Sequence, residues 1–330
     1  MHGAAARTRV DGPGLARPDH VTTALVLDGN QRSALAVTRA LGRRGIPVVV
    51  AGETRTTLAG ASRYRRDTFT YPAPHEHPER FIDTIRTEAA ARGVGLMVPM
   101  TDLTTLLVLR HRDQFADIAI PSASSETFDM LTDKGRLVRL AQRLGVPVPA
   151  TYFARPGEDL TRLPAGFAFP LVLKPSRSMM WSGRRWIAAS VHYPDSVRHA
   201  QDVIARHEYF SQQPFLVQEY IRGRAQGLFA LYDRGTPMAF FAHRRLREKP
   251  PSGGVSVLSE SIEIDGRLRE VARRILDHVG WHGVAMVEFK RDARDGRPRL
   301  MEINGRFWNS LPLAVASGVD FPFLLYTLAV

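Results

Sequence analysis

Cysteine is absent from this chain of 330 residues. That excludes disulfides, thiolate metal sites and a cysteine nucleophile, and it fits a reducing, cytoplasmic setting. Lysine is scarce: Lys134, Lys174, Lys249 and Lys290 are the only four, so arginine supplies nearly all of the 45 basic residues that outweigh 33 acidic ones. No apolar run reaches the roughly 18 residues of a membrane span. No apolar stretch follows Arg7 and Arg9, so neither a signal peptide nor a membrane partner is expected. No block of basic residues is interleaved with aromatics, so nucleic acid is not an expected partner. A polyanionic small molecule suits the net charge of +12 as well. Internal repeats are also missing.

A packed core is available. Hydrophobic residues make up 44% and charged residues 24%, and the length suggests two domains. Residues 1–20 lack periodicity and read as a disordered tail. From residue 21 to 121 strands and helices alternate: strands at 21–28, 46–50, 96–99 and 118–120, helices at 33–44, 78–92 and 102–111. This predicts an α/β N-terminal domain with a parallel sheet covered on both faces. From residue 122 to 330 the order becomes α+β. Two short helices (126–131, 133–144) precede strands at 148–153, 171–174, 186–190 and 215–220, with a helix near 195–207. A strand-rich stretch then covers 227–264, followed by a helix at 266–279, a hairpin at 284–304 and terminal helices. The turn Asp28-Gly29-Asn30 follows the first strand but carries one glycine where a dinucleotide fingerprint needs three. It reads as an ordinary βα connection.

The late hairpin is the most informative segment. It runs Val284-Ala285-Met286-Val287-Glu288-Phe289-Lys290, turns near Asp295, and returns as Arg299-Leu300-Met301-Glu302-Ile303-Asn304. Antiparallel register sets Glu288 opposite Glu302, with Asn304 on the same face. Ala285, Val287, Phe289, Met301 and Ile303 make the core face. Facing carboxylates repel. Either basic neighbours screen them on an exposed face, or a hard cation sits between them, for which two carboxylates and an amide oxygen suit Mg²⁺. Arg306, two residues on, is placed to neutralise phosphoryl oxygens.

Glu-x-Asn-x-Arg after an apolar strand, with an upstream strand glutamate, resembles the metal signature of the ATP-grasp superfamily. The resemblance covers residues 21–330 and points to the carboxylate–amine ligase branch, near the carbamoyl-phosphate synthase large-chain type. It implies an ATP-grasp fold with a small lid subdomain, about 148–218, and a larger C-terminal subdomain. It also implies ATP and one or two Mg²⁺, with Mn²⁺ as an alternative, held by Glu288, Glu302 and Asn304. Lys134 after Asp133, and Lys174 closing Leu171-Val172-Leu173-Lys174-Pro175, resemble the two phosphate-binding lysines, with Ser176 beside the second. Gln218-Glu219-Tyr220-Ile221 resembles the adenine-binding hinge, which assigns Glu219, Tyr220 and Ile221 to the nucleotide. The family's acidic ribose contact has no counterpart in Arg224-Ala225-Gln226-Gly227. The lid loop 176–183 holds Met179, Met180 and Trp181 where glycines are usual, which suggests an apolar, water-excluding cap.

His243, Arg245 and Arg247 alternate onto one face; Arg245, with Ser252, Gly253 and Gly254, is assigned to the acceptor side. Trp308 is assigned to core packing. The implied partners are a small-molecule carboxylate and an amine; a homodimer remains open. Relatives continue beyond the apolar run 321–330, so the chain reads as a short or truncated member. The resulting expectation is an ATP-dependent ligase acting through an acyl phosphate. A bicarbonate-dependent carboxylating or carbamoyl-phosphate-forming enzyme, and a non-catalytic ATP-binding module, are the alternatives.

Overall fold

The computed structural model describes residues 20–163, 166–181, 186–249 and 254–330. The expected tail before residue 20, and Ser252 and Gly253, lie outside these residues. Among the described residues no helix is long and apolar enough to cross a membrane.

The chain first lays down β1 (Thr23–Val26), α1 (Arg32–Gly42), β2 (Val48–Gly52), β3 (Asp67–Thr70), α2 (Pro78–Ala91), β4 (Val94–Val98) and α3 (Asp102–Arg110). The four strands form a parallel sheet in the order β3-β2-β1-β4. β1 and β2 are buried at every position, as continuous apolar runs require when both faces are covered. Leu25 and Val49 share a core with Phe81 and Ile85 of α2 and Leu107 of α3. Ala24, Val26 and Val50 face the other way, onto Val37 and Leu41 of α1. Two expectations need correction. The segment 118–120 is not a strand; it adds one bridge, Ala119 to Leu96, to the edge of β4. The edge strand β3 (Asp-Thr-Phe-Thr) was not expected, because its half-exposed side chains give no apolar run.

Two helices follow, α4 (Ser125–Thr132) and α5 (Lys134–Arg143). Asp133 caps α5 by accepting from the Arg136 N–H at 2.9 Å. Next come β5 (Thr151–Ala154), β6 (Leu171–Pro175), β7 (Met179–Trp181), β8 (Trp186–Ala188), α6 (Val197–Arg206), α7 (Glu208–Gln212) and β9 (Phe215–Glu219). They make a small antiparallel sheet, β5-β9-β6, and a separate ribbon, β7-β8. The expected lid loop thus contains a strand, with Met180 turned inward and Trp181 outward.

The largest sheet is antiparallel, in the order β12-β11-β10-β13-β14, built from β10 (Gly223–Asp233), β11 (Thr236–Lys249), β12 (Val255–Ser261), β13 (Gly283–Asp292) and β14 (Pro298–Asn304). Helix α8 (Gly266–Leu276) packs on one face. The terminal helices α9 (Leu311–Ala316) and α10 (Phe321–Ala329) pack on the other, sharing a core with Phe229, Leu231 and Val284. That same core contains the inner face of β1 and β2, so the boundary expected near residue 121 divides the topology but not the packing. Tyr326 pins α10 to the N-terminal sheet: its hydroxyl accepts from the Thr22 N–H at 2.7 Å and donates to the Thr22 carbonyl at 3.1 Å.

The β13–β14 register pairs Glu288 with Glu302, Val287 with Ile303 and Met286 with Asn304. A bulge then lets Phe289 pair with Leu300. Met301 is the extra residue. Leu300, not Met301, completes the core face, and Met301 lines the cavity on the side of Glu302.

Gly283, which opens β13, has φ +89° and touches the linker: a Cβ there would sit 2.3 Å from the Pro121 carbonyl oxygen. Gly283→Ala is expected to cost about 3 kcal/mol through backbone strain and overpacking. Urea unfolding measures this, and a loss below about 1 kcal/mol contradicts the assignment.

Candidate active site

Glu288, Glu302 and Asn304 project into one cavity of about 560 Å³, floored by β11, β13 and β14 and walled by β6 and the start of α5. The strand pairing forces this. Residues two apart share a face, and cross-strand partners face each other. The Asn304 Nδ2 lies 3.5 Å from Glu288 Oε1 and 3.4 Å from Glu302 Oε1, so the amide bridges both carboxylates.

All four lysines of the chain line this cavity, together with Arg177, Arg245 and Arg306, against three carboxylates, Glu248, Glu288 and Glu302. Lys134 Nζ is 3.5 Å from Glu302 Oε2 and donates to Ser178 Oγ at 3.4 Å. Helix α5 is tied to β6 by the Lys134 N–H, which donates to the Ser176 carbonyl at 2.8 Å. Burial pulls Lys174 down to about 8; Glu302 opposes this and Lys134 adds to it. Arg245 pairs with Glu288 and, at 3.2 Å, with Glu248. Burial raises Glu288; Arg245 pulls it back and Glu302 pushes it further up. Burial acts upward on Glu302 too, but Lys134 and Lys174 outweigh it and hold that carboxyl below its ordinary range. His243 is fully buried and pushed down to about 3 by burial and by Arg245, so it is neutral.

The donor set suits a hard divalent cation. Among the described residues no group of three or more His, Asp or Glu side chains closes a metal cage. Two carboxylates and one amide leave positions open for water and phosphate oxygens, as Mg²⁺ prefers. The Asn304 Oδ1 accepts from Arg306 Nη2 at 3.1 Å and so turns Nδ2 toward the carboxylates. Ligation by Oδ1 requires the amide to turn over, which exchanges donor and acceptor within the same outline.

Of the residues singled out from sequence, Lys134, Lys174, Arg245, Glu288, Glu302, Asn304 and Arg306 meet in this cavity. Arg306 stands at its edge, donating to Asp102 Oδ1 at 2.9 Å. Ser176 does not line the cavity: its hydroxyl donates to the Pro214 carbonyl at 2.8 Å. Glu219 is engaged outside, accepting from the Ala150 N–H at 2.9 Å and pairing with Arg294. Tyr220 and Ile221 border the cavity through Lys290, whose Nζ lies 4.7 Å from the Tyr220 ring centre and donates to the Ile221 carbonyl at 3.3 Å, and through Tyr193, whose ring centre is 6.0 Å from that of Tyr220. Trp308 is buried against Phe229, as core packing expects, while also touching the cavity. Lys249, Lys290, Tyr193 and Met301 join the lining without having been singled out. For Lys290 the signal was present, because it lies two residues beyond Glu288 on the same strand face.

Residues 211–330 match the family model described as ATP-grasp in the biosynthetic pathway with Ter operon. The D-aspartate ligase of Enterococcus faecium is 22% identical over 238 residues, 68% of this chain and 56% of that protein. The carbamoyl phosphate synthase large chain of Deinococcus deserti is 24% identical over 253 residues, 74% of this chain and 24% of its own. The chain thus spans about half of the first relative and a quarter of the second. The crystal structure of an L-amino acid ligase from Bacillus licheniformis superposes with a TM-score of 0.73 at 14% identity, covering 93% of this chain and 74% of that one. The chain has the ATP-grasp fold, and its residues 211–330 match an ATP-grasp family model.

Proposed function

We propose that the chain is an ATP-dependent ligase that joins a carboxylate to an amine through an acyl phosphate. One observation carries this reading: facing carboxylates, bridged by an amide, lie within a cavity where seven cationic side chains surround three anionic ones. Such a surplus of positive charge in a partly desolvated site suits a polyphosphate. Glu288, Glu302 and Asn304 would hold Mg²⁺, which when bound neutralises and orients the β- and γ-phosphoryl oxygens. Lys134 and Lys174 position the triphosphate as compact point charges. The adenine is assigned by resemblance to the hinge, Glu219, Tyr220 and Ile221, of which Tyr220 and Ile221 lie beside Lys290. Arg245 lies toward the carboxylate substrate.

A carboxylate oxygen attacks the γ-phosphorus, the bond to the bridging β,γ-oxygen breaks, and ADP leaves. The amine nitrogen then attacks the acyl carbon. A C–N bond forms, the C–O bond to phosphate breaks, and the amine, attacking as the neutral base, gives up one proton, which leaves with inorganic phosphate as the amide is released. The protein contributes alignment and charge neutralisation, since phosphoryl transfer needs little covalent help. The ribbon β7-β8, with Met179 and Met180, excludes water from the acyl phosphate.

Incubation with Mg·ATP, pooled carboxylic acids and hydroxylamine tests this, because hydroxylamine converts an acyl phosphate to a detectable hydroxamate. ADP release with hydroxamate supports the ligase; bicarbonate-dependent ADP release without hydroxamate, or nucleotide binding without turnover, replaces it. Glu302→Gln is expected to lower ADP release by about a thousandfold while the melting temperature shows a folded protein. Retained turnover contradicts the metal assignment. Lys174 makes a pH prediction. With its ammonium at about 8 in the free protein, it is mostly neutral at pH 9. A bound phosphate recharges it, so nucleotide affinity falls as pH rises through about 8, and binding at pH 9 takes up close to one proton. Calorimetry in two buffers of different ionisation enthalpy reads this uptake, which Lys174→Met removes; no uptake by the unaltered protein contradicts the assignment.

A further inference from the structure

A second cavity, of about 440 Å³, opens where the N-terminal sheet changes direction. The chain runs from β1 to β2 and β3 on one side, then crosses to β4 on the other. Beyond the carboxyl ends of β1 and β4 the loops diverge, which is where open α/β sheets accept ligands. Its floor is rigid. Asp28 adopts φ +54° and is half-buried. Its carboxylate accepts from the N–H groups of Met100 and Thr101 at 2.9 and 3.0 Å, from the Thr104 hydroxyl at 2.6 Å and from the Tyr71 hydroxyl at 3.1 Å. Asp28 is therefore committed to joining the strand ends and is not free for a ligand. Gly29 is needed for packing: a Cβ there would meet Thr57 Oγ1 at 2.6 Å. That accounts for the lone glycine without invoking a pyrophosphate.

Three features define what the cavity accepts. It shares a wall with the phosphate cavity, because Arg306 and Asn309 line both. It is roofed by the lid ribbon: Met179 lines it, and the Trp186 N–H of β8 donates to the carbonyl of His75, another lining residue, at 3.3 Å. Its charge is opposite to that of its neighbour. The lining carboxylates are Asp28, Glu53 and Asp102, and Arg306 is the one Lys or Arg among the lining residues. Asp102 is paired with Arg306. Glu53, following β2, makes no hydrogen bond or ion pair among the described residues. In a chain of net charge +12, an unpaired carboxylate at the rim of a polar crevice selects a cation.

We infer that this crevice is the amine-substrate compartment, that it takes a small molecule bearing an ammonium group, and that Glu53 is its specificity-determining contact. The inference rests on the ligase reading for the amine's fate, but binding can be read without turnover. An amine held here lies across Arg306 from the cavity where the acyl phosphate forms. Closure of the lid ribbon covers both compartments together.

Saturation-transfer NMR on the Mg·ADP-loaded protein provides the test. The probes are the twenty standard amino acids and D-aspartate, with acetate and succinate as amine-free controls. The inference expects signals from one or a few amino compounds in the unaltered protein, with affinity lowered about tenfold in Glu53→Gln and binding abolished in Glu53→Lys. Glu53 is exposed and unpartnered, so both variants should fold; matching melting curves establish this. Equal signals in all three proteins, or none from any amino compound, overturn the inference. Hydroxamate formation by the unaltered protein reports separately on the ligase reading. Loss of amine signals in Glu53→Lys with no hydroxamate would uphold the crevice and reject the ligase.

Discussion

Two carboxylates facing each other across a β-ribbon are the constraint around which the rest of the site is arranged. Directly opposed like charges destabilise a sheet, and partial burial makes the repulsion worse. The structure answers with cations from outside the ribbon: Arg245 from the next-but-one strand onto Glu288, and Lys134 from the start of α5 onto Glu302. Each partner comes from a different element. The carboxylate pair therefore fixes not only local charge but also where β11 and α5 must sit relative to β13 and β14. Of the other cations, Arg177 meets Asp129 and Asp133 and Arg306 meets Asp102, while Lys174, Lys249 and Lys290 make no ion pair among the described residues; those three are the positive surplus that suits an external polyanion.

The use of lysine follows from the same argument. Arginine dominates the chain and does structural work in forked pairs, as with Arg294 on Asp292 or Arg299 on Asp292 and Asp295. An arginine is charged wherever it sits and binds best as a planar fork. Lysine carries a compact charge that can be partly suppressed by burial, as Lys174 is. Four lysines converge on one cavity, and in the function we propose the labour is divided: guanidinium groups mainly hold protein to protein, and the ammonium groups other than Lys134, which meets Glu302, are left for phosphate.

Much of this was legible in the sequence because the decisive signals were local or periodic. The register of Glu288 and Glu302 followed from strand alternation and a turn near Asp295. The βα units followed from apolar runs long enough to be buried on both faces. What escaped depended on non-periodic features. The bulge beside Glu288 moved Met301 out of the core and Leu300 into it, because one extra residue reverses every assignment beyond it. Ser176 lies two residues beyond Lys174, but past the end of β6, where strand alternation no longer holds, and its hydroxyl donates to the Pro214 carbonyl instead. The merging of the two domain cores could not be seen, because α10 returns from the far end of the chain to bind Thr22.

That return also bears on how the two cavities communicate. Arg306 donates to Asp102 on the N-terminal side and to Asn304 on the metal-strand side. It is half-buried; burial works against its charge, but Asp102 outweighs that, with Glu302 and Glu288 adding to the effect. A displacement at Asp102 would therefore be felt at the Asn304 amide, whose orientation decides whether an oxygen or an NH₂ faces the two carboxylates. With α10 locking the N-terminal sheet to the large sheet, the domains cannot slide to absorb such a displacement. The freedom left is local: the lid ribbon above and the Asn304 amide below. A ligand in the crevice that displaced Asp102 would favour one orientation of that amide, coupling the amine compartment to the phosphate site through two hydrogen bonds rather than through domain movement.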